Sequence, residues 1–351
     1  MQDRQRERFS ADELAVVLSR YDLGPIESIT EFQRGSRRRP KVGIVSKRGK
    51  FLLKRRTRAE AASARLAYSH RLQQHLSQVG FTLPTLIPVD TDGELVLQRG
   101  GYVYELFEFV RGQSYDGSGQ QTQSSGRTLA AFHQAVASFP NPESPHHGDY
   151  HDCNPVMTAL TTLPGAMSSH DSAMGLESEL IDLSVDLVEP YERCCKITND
   201  LGLRTWPCSV IHADWHPGNM LFRHQKVVAV VDYDAARSGQ PVIDTANGLL
   251  QFSMLSAKHI ENWPDEIDLP RARLFVEGYV SLQPLTPEER MALPHLMIEA
   301  LVAESVLPAA ATGSFGRYQG VRFLNMVRRK VAWMEQHADE LADCIAAAAT
   351  P

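Results

Sequence analysis

The feature that most constrains this chain is a pair of short apolar runs that each lead into a carboxylate. CSVI passes through His212-Ala213 to Asp214, and KVVAVV ends on Asp232. Apolar runs of this length, bounded by turn residues, read as buried strands. A carboxylate that ends such a run is costly to desolvate unless it is paired or bound to a cation. Between the two runs, His216-Pro217-Gly218-Asn219 supplies turn residues and a neutral oxygen donor.

The rest of the chain divides around this segment. Ser10 followed by Glu13 is a capping-box signature, and Leu14, Val17, Leu18 and Tyr21 keep helical spacing up to Gly24-Pro25, which predicts a short N-terminal helix. ESITEFQ, KVGIVSK and FLLKRR read as three antiparallel strands, and residues 57–78 as a helix. ELVLQ and GYVYELFEFV read as two further strands, with turns at Asp92-Gly93 and Gly100-Gly101. Beyond Val110 the pattern is mainly helical, and only CSVI and KVVAVVDY look like strands. The tract DGSGQQTQSSG (116–126) has no apolar residue to bury and reads as a linker. The expected division is therefore 1–112, an N-terminal helix with a five-stranded sheet, and 113–351, a mainly helical lobe, giving an α+β class.

Composition supports this division. A chain of 351 residues that is 43% hydrophobic can fill the cores of two lobes. The N-terminus MQDRQRERFS is charged where a signal peptide would be apolar, and no apolar run approaches the roughly 18 residues of a spanning helix. Five cysteines without a CxxC pair read as reduced structural thiols, and a cytoplasmic location is expected. Residues 34–58 hold 12 Lys/Arg and no Asp/Glu, which leaves a net charge of −18 on the remainder. That segregation suits a polyanionic ligand on one lobe, or a solvated basic hairpin. Phe51 is the only aromatic in the basic run, so stacking platforms for nucleic acid are not evident.

Phosphoryl transfer asks for a carboxylate at the acceptor hydroxyl, oxygen ligands for Mg²⁺ and cations on the phosphates. Asp214 can be the carboxylate, and Asn219 and Asp232 the hard oxygen donors that Mg²⁺ prefers. The stretch GIVSKRGKF nearly imitates a phosphate-binding P-loop, but its glycines are too far apart and Phe51 stands where Ser/Thr is needed. His147-Gly148-Asp149-Tyr150-His151-Asp152-Cys153-Asn154 repeats the HxDxHxxN spacing, yet no apolar strand precedes it. It reads as a polar surface loop, a substrate-side loop or, with His146, His147, His151 and Asp149, a metal cluster.

His212, Asp214 and Asn219, with Asp232-Tyr233-Asp234 and Pro241 to Ala246 after them, resemble the catalytic and metal-binding segments of aminoglycoside phosphotransferases, choline kinases and homoserine-kinase-like enzymes. LAAFHQ (129–134) and GYVSLQPLTPEE (278–289) extend the resemblance over most of the chain. It implies a bilobal protein-kinase-like fold that binds ATP and Mg²⁺ and phosphorylates a hydroxyl acceptor. In that frame Asp214 and His212 are the catalytic pair, His212 bracing the loop with Asp244 behind it, and Asn219 and Asp232 are the metal ligands. Lys54 holds the α and β phosphates. Gly35 and Ser36 cover the phosphates through backbone N–H groups, and Glu108 to Val110 form the segment that pairs with adenine. The family's helix glutamate for Lys54 is missing: Ser69 lies near its place, and Glu60 is the only carboxylate in residues 57–78. A nucleotide-binding scaffold without turnover therefore stands beside the enzyme reading, as does an atypical protein kinase. Only 11 residues separate Asp232 from Asp244, too few for a peptide-docking activation segment, which favours a small acceptor. The acidic remainder suits a cationic amino-alcohol or aminoglycoside-like compound, and Glu277, Glu299 and Glu304 are candidate pocket carboxylates.

Overall fold

The computed structural model describes residues 7–32, 39–57, 59, 64–90, 93–140, 148–168, 170 and 175–349. Gly35, Ser36, Glu60, His146 and His147 lie outside them. The chain forms two units, one of residues 1–114, 220–223 and 227–234, the other of 115–219, 224–226 and 235–351.

In the first unit, helix α1 (Ala11–Leu18) carries the expected capping box between Ser10 and Glu13. Strands β1 (Ile26–Phe32), β2 (Lys41–Ser46), β3 (Gly49–Thr57), β4 (Leu97–Arg99) and β5 (Tyr102–Glu108) make an antiparallel sheet in the order β1-β2-β3-β5-β4. Helix α2 (Ala64–Gln78) lies between β3 and β4 in the chain. Strand alternation sends Val42, Ile44, Leu53, Tyr104 and Leu106 into one core with Val17 and Leu18. The opposite alternation points Lys54 away from that core, and antiparallel register sets it opposite Glu105. Strands β7 (Met220–Arg223) and β8 (Lys226–Val230) join this unit through paired backbone bonds of 2.8 Å between Phe222 and Gln113 and one of 3.0 Å from Val230 to Thr82.

The second unit is mainly helical. It contains α3 (Gly119–Val136), α4 (Asn154–Thr161), α5 (Leu163–Ser168), α6 (Glu177–Asp200), α7 (Pro241–Ser253), α8 (Leu269–Val280), α9 (Pro287–Thr312), α10 (Gly320–Gln336) and α11 (Ala338–Ala348). The short strands β6 (Ser209–Ile211) and β9 (Arg237–Gly239) pair antiparallel, and so do β10 (Ser314–Phe315) and β11 (Tyr318–Gln319). Strand β6 falls on the expected CSVI run, whereas β7, β9, β10 and β11 escaped the sequence reading because two to four residues carry too little alternation to see. Helix α9 is long and apolar enough to cross a membrane, contrary to the expectation that no such run exists. Of its most apolar stretch 72% is packed inside the protein, as in a core helix.

The expected linker is not one. Residues 119–126 open α3, capped by Ser118, with Gln121, Thr122, Ser125 and Gly126 all buried. The hydroxyls of Thr122 and Ser125 donate back to carbonyls one turn earlier, at 2.9 and 2.8 Å, which satisfies them inside the helix. A Cβ on Gly126 would lie 2.0 Å from the Phe275 carbonyl oxygen of α8, and one on Gly278 2.0 Å from that of Gln123. Two helix backbones touch here, and small residues permit it.

Candidate active site

Strand β6 delivers the chain to His212, Ala213 and Asp214. The turn that follows is fixed by Asp244 in the first turn of α7. Its buried carboxylate accepts the backbone N–H of His212 at 2.6 Å and that of Ala213 at 2.8 Å, with the His133 ring at 3.4 Å. A carboxylate near a helix N-terminus is favoured by the helix dipole. Burial pushes the Asp244 carboxyl up, but His133, His212 and these N–H groups outweigh it and hold it below its usual range. Ala213 adopts φ 61°, a left-handed conformation costly for a residue with a Cβ, and the two bonds to Asp244 over-determine it. The His212 ring is fully buried, edge-on to Trp215 and Phe132.

Asp214 is presented by this turn. Asn219 Nδ2 donates to its Oδ2 at 2.8 Å and to its backbone oxygen at 3.0 Å, and His216 Nε2 lies 3.5 Å from Oδ1. The Asn219 amide nitrogen is thus directed at Asp214, which leaves its Oδ1 as the end able to meet a cation. Burial alone would raise the Asp214 carboxyl; His216, His212 and Asn219 more than offset this and lower it, so the group is ionised at neutral pH.

In the first unit the missing carboxylate reappears on a different element. Lys54 Nζ lies 3.8 Å from Oε2 of Glu105, a fully buried residue of β5. Arg56 Nε donates to the same oxygen at 2.6 Å, and the His70 ring meets Oε1 at 2.6 Å. Burial would raise the Glu105 carboxyl, but His70, Lys54 and Arg56 overcome it and bring it down to about 2. His70 follows Ser69, so the helix position where the family carries glutamate is here next to a histidine that holds the strand glutamate. Arg56 also makes a forked contact with Asp234, 2.5 and 2.8 Å, and Arg39 reaches Asp234 at 3.3 Å. Asp232, two residues earlier, is exposed and sits at φ 69°, again left-handed. At the edge of β5, the Glu108 N–H donates to Thr85 at 2.8 Å and the Phe109 N–H to Lys50 at 2.9 Å.

A cavity of about 600 Å³ opens within the second unit, walled by Ala213, Tyr150, His151, Arg237 and Glu304 among others. Glu304 accepts from Asn247 Nδ2 at 2.8 Å and from Gln251 Nε2 at 3.0 Å. Burial, and then the nearby Asp214 charge, raise its carboxyl to about 7. Of the expected polar surface loop, the described residues 148–154 do not all lie at the surface. Tyr150 and His151 are buried, and His151 Nδ1 meets Glu299 at 2.7 Å. The Cys195 thiol stands in the same group of side chains.

The model of the APH family, the phosphotransferase enzyme family, matches residues 28–285. The chain belongs to that family. Over 293 residues it is 27% identical to the homoserine kinase of Phenylobacterium zucineum, covering 81% of this chain and 80% of the relative. The fold matches an aminoglycoside phosphotransferase from Alicyclobacillus acidocaldarius with a TM-score of 0.70 at 16% identity, over 97% of this chain and 99% of the other. It also matches an amicoumacin kinase in complex with AMP-PNP, Ca²⁺ and Ami, with a TM-score of 0.59 at 13% identity, over 94% and 96% of the two chains. As an APH-family phosphotransferase, this protein is a small-molecule kinase with a protein-kinase-like α+β fold.

Within this APH-family chain the second unit brings together His212, Asp214, Asn219 and Asp244, and the first holds Lys54, Glu108, Val110 and Asp232. Sequence reasoning missed Glu105, His70, Arg56 and Asp234 as one network, and Arg237, Asn247 and Gln251 around the cavity. The Glu105 signal was present: a lone carboxylate in the apolar run YVYELF has no reason to be there without a cation across the sheet.

Proposed function

We propose that this chain transfers the γ-phosphate of ATP, with Mg²⁺, to the hydroxyl of a small amino-alcohol in the cytoplasm, and that Asp214 accepts the hydroxyl proton. The observation that carries this is the Asp214 geometry. An ionised carboxylate is held by Asn219 on a turn that Asp244 pins, with a cavity beside it that Asp149, Asp152 and Glu304 line together with Arg204 and Arg237. The name of the homoserine kinase relative supports a hydroxyl acceptor, and the AMP-PNP and Ca²⁺ of the amicoumacin kinase complex support a nucleotide and a divalent cation. Lys54, kept in place by Glu105, is the proposed phosphate cation, and the Glu108 carbonyl and Val110 N–H the proposed adenine contacts. Asn219 and Asp232 fit as Mg²⁺ ligands, since both offer hard oxygens and Asp232 is exposed. The bound ion supplies charge neutralisation on the phosphates. The scaffold reading loses its motive, because Lys54 does have a carboxylate partner.

The test is ADP release from Mg·ATP with a pooled set of amino-alcohols, sugars, aminoglycosides and hydroxy amino acids. Asp214→Asn should lower acceptor-dependent turnover by about 10²- to 10⁴-fold with nucleotide affinity nearly unchanged. Asp232→Asn should weaken Mg²⁺-dependent nucleotide binding itself. Parental turnover in Asp214→Asn would sink the assignment.

A further inference from the structure

Strands β2 and β3 set cations against one another on one face of the first unit. Val42 and Ile44 of β2 point into the core, so strand alternation turns Lys41 to the opposite face, and register places it directly across from Lys54. The Arg55 N–H donates to the Pro40 carbonyl at 3.1 Å, which extends the pairing past Lys41, and Arg39 and Arg56 then meet on Asp234. Like charges directly opposite in a ladder repel. Three of these four cations have an anion to offset this. Arg39 and Arg56 share Asp234, and Arg56 and Lys54 share Glu105.

Lys41 has none. It is partly buried, and among the described residues no carboxylate lies within ion-pair distance of its ammonium and no acceptor meets it. Burial pushes that ammonium below its usual range, the Lys54 charge pushes it further, and Asp232, which works the other way, offsets only part of this. Nor does the adjoining chain hold an anion to give, since residues 34–58 have 12 Lys/Arg and no Asp/Glu. A desolvated cation beside a second cation is costly to the fold unless an anion arrives from outside. Nucleotide phosphates are such an anion, and both Lys54, the proposed phosphate cation, and the charge of Asp232, the proposed metal ligand, act on Lys41. We infer that Lys41 is a second phosphate-binding residue of the nucleotide site. Strand order divides the work: Glu105 fixes Lys54 from β5, and Lys41, fixed by nothing, meets phosphate oxygens from β2. This rests on the kinase reading above and adds a residue to its nucleotide site.

The test uses the full chain and Lys41→Met, which keeps the length of the side chain and removes its charge, with Lys41→Arg as the conservative variant. Binding of Mg·ATP and of adenosine is measured by titration calorimetry, and unfolding of the ligand-free protein by scanning calorimetry. Lys41→Met should weaken Mg·ATP binding by about 10- to 100-fold, the worth of one charge-assisted contact, and leave adenosine binding unchanged. Lys41→Arg should recover most of the lost affinity. Without nucleotide the Lys41→Met midpoint should rise by about 1–3 °C, because a repulsion across the ladder is gone. A parent that binds Mg·ATP and a Lys41→Met variant that binds it equally well overturn this inference alone. So does a variant that loses Mg·ATP and adenosine affinity by the same factor and unfolds at a lower temperature, which would make Lys41 a packing residue. A parent that binds no Mg·ATP overturns the kinase reading with it.

Discussion

Glu105 shows how much one residue can decide. Its carboxylate is fully buried and shared by Lys54, Arg56 and His70, so the charges compensate one another only while all are present. Removing one partner of a buried ionic group strands the others, at a cost of about 3–5 kcal/mol. Glu105→Gln should therefore destabilise the protein by that amount at pH 7, read by urea unfolding, and raise the KM for Mg·ATP by loosening Lys54. The sign with pH follows from the depressed carboxyl. Its contribution is present above about 4.5 and is lost as pH falls through about 2, so the difference between parent and variant should shrink in that window. A variant within 1 kcal/mol of the parent at pH 7 would mean that the network is ornamental. Sequence reasoning found Lys54 and looked for its partner on the helix, because the family resemblance put it there. Only the pairing of β3 with β5 sets Glu105 opposite it.

Among elements, the crossing of α3 and α8 is the instructive case. A tract without apolar side chains looks unable to join a core, yet here burial comes from backbone meeting backbone across Gly126 and Gly278. Gly126→Ala improves intrinsic helix propensity by about 1 kcal/mol. Its methyl would nevertheless have to sit 2.0 Å from the Phe275 carbonyl, and backbone cannot yield as a flexible side chain can. We expect a net loss of about 2–3 kcal/mol in chemical denaturation, from overpacking; equal or higher stability would show that the helices part easily. This helix also supplies His133 to Asp244, so the same variant should lower turnover through the turn that carries Asp214, the proposed proton acceptor. Helix α1, with its capping box, and the strands β1, β2, β3 and β5 were legible because their signals are local. The crossing was not, since its signal is the absence of side chains at two places more than a hundred residues apart.

At the scale of the whole molecule, function is set against stability. Glu304 is held near an ionised Asp214, and its carboxyl is raised to about 7. Between pH 4.5 and 7 the unfolded chain releases this proton while the folded chain keeps it, so stability falls as pH rises through that range. Glu304→Gln should accordingly stabilise the protein at pH 8 by up to about 3 kcal/mol and have little effect at pH 4, in thermal or urea unfolding. A pH-independent difference would mean that the charge is already compensated. The amino-acid sequence by itself determined the class of fold, the family and the chemistry, because hydrophobic period, turn residues and the order Asp214, Asn219, Asp232 are written along the chain. Tertiary structure alone decided which carboxylate faces Lys54, why a Ser/Gly/Gln tract is a buried helix, and that Arg237 and Glu304 share a cavity. Those facts depend on the spatial meeting of residues far apart in sequence, and pairing energy across strands and helices, not local propensity, selects them.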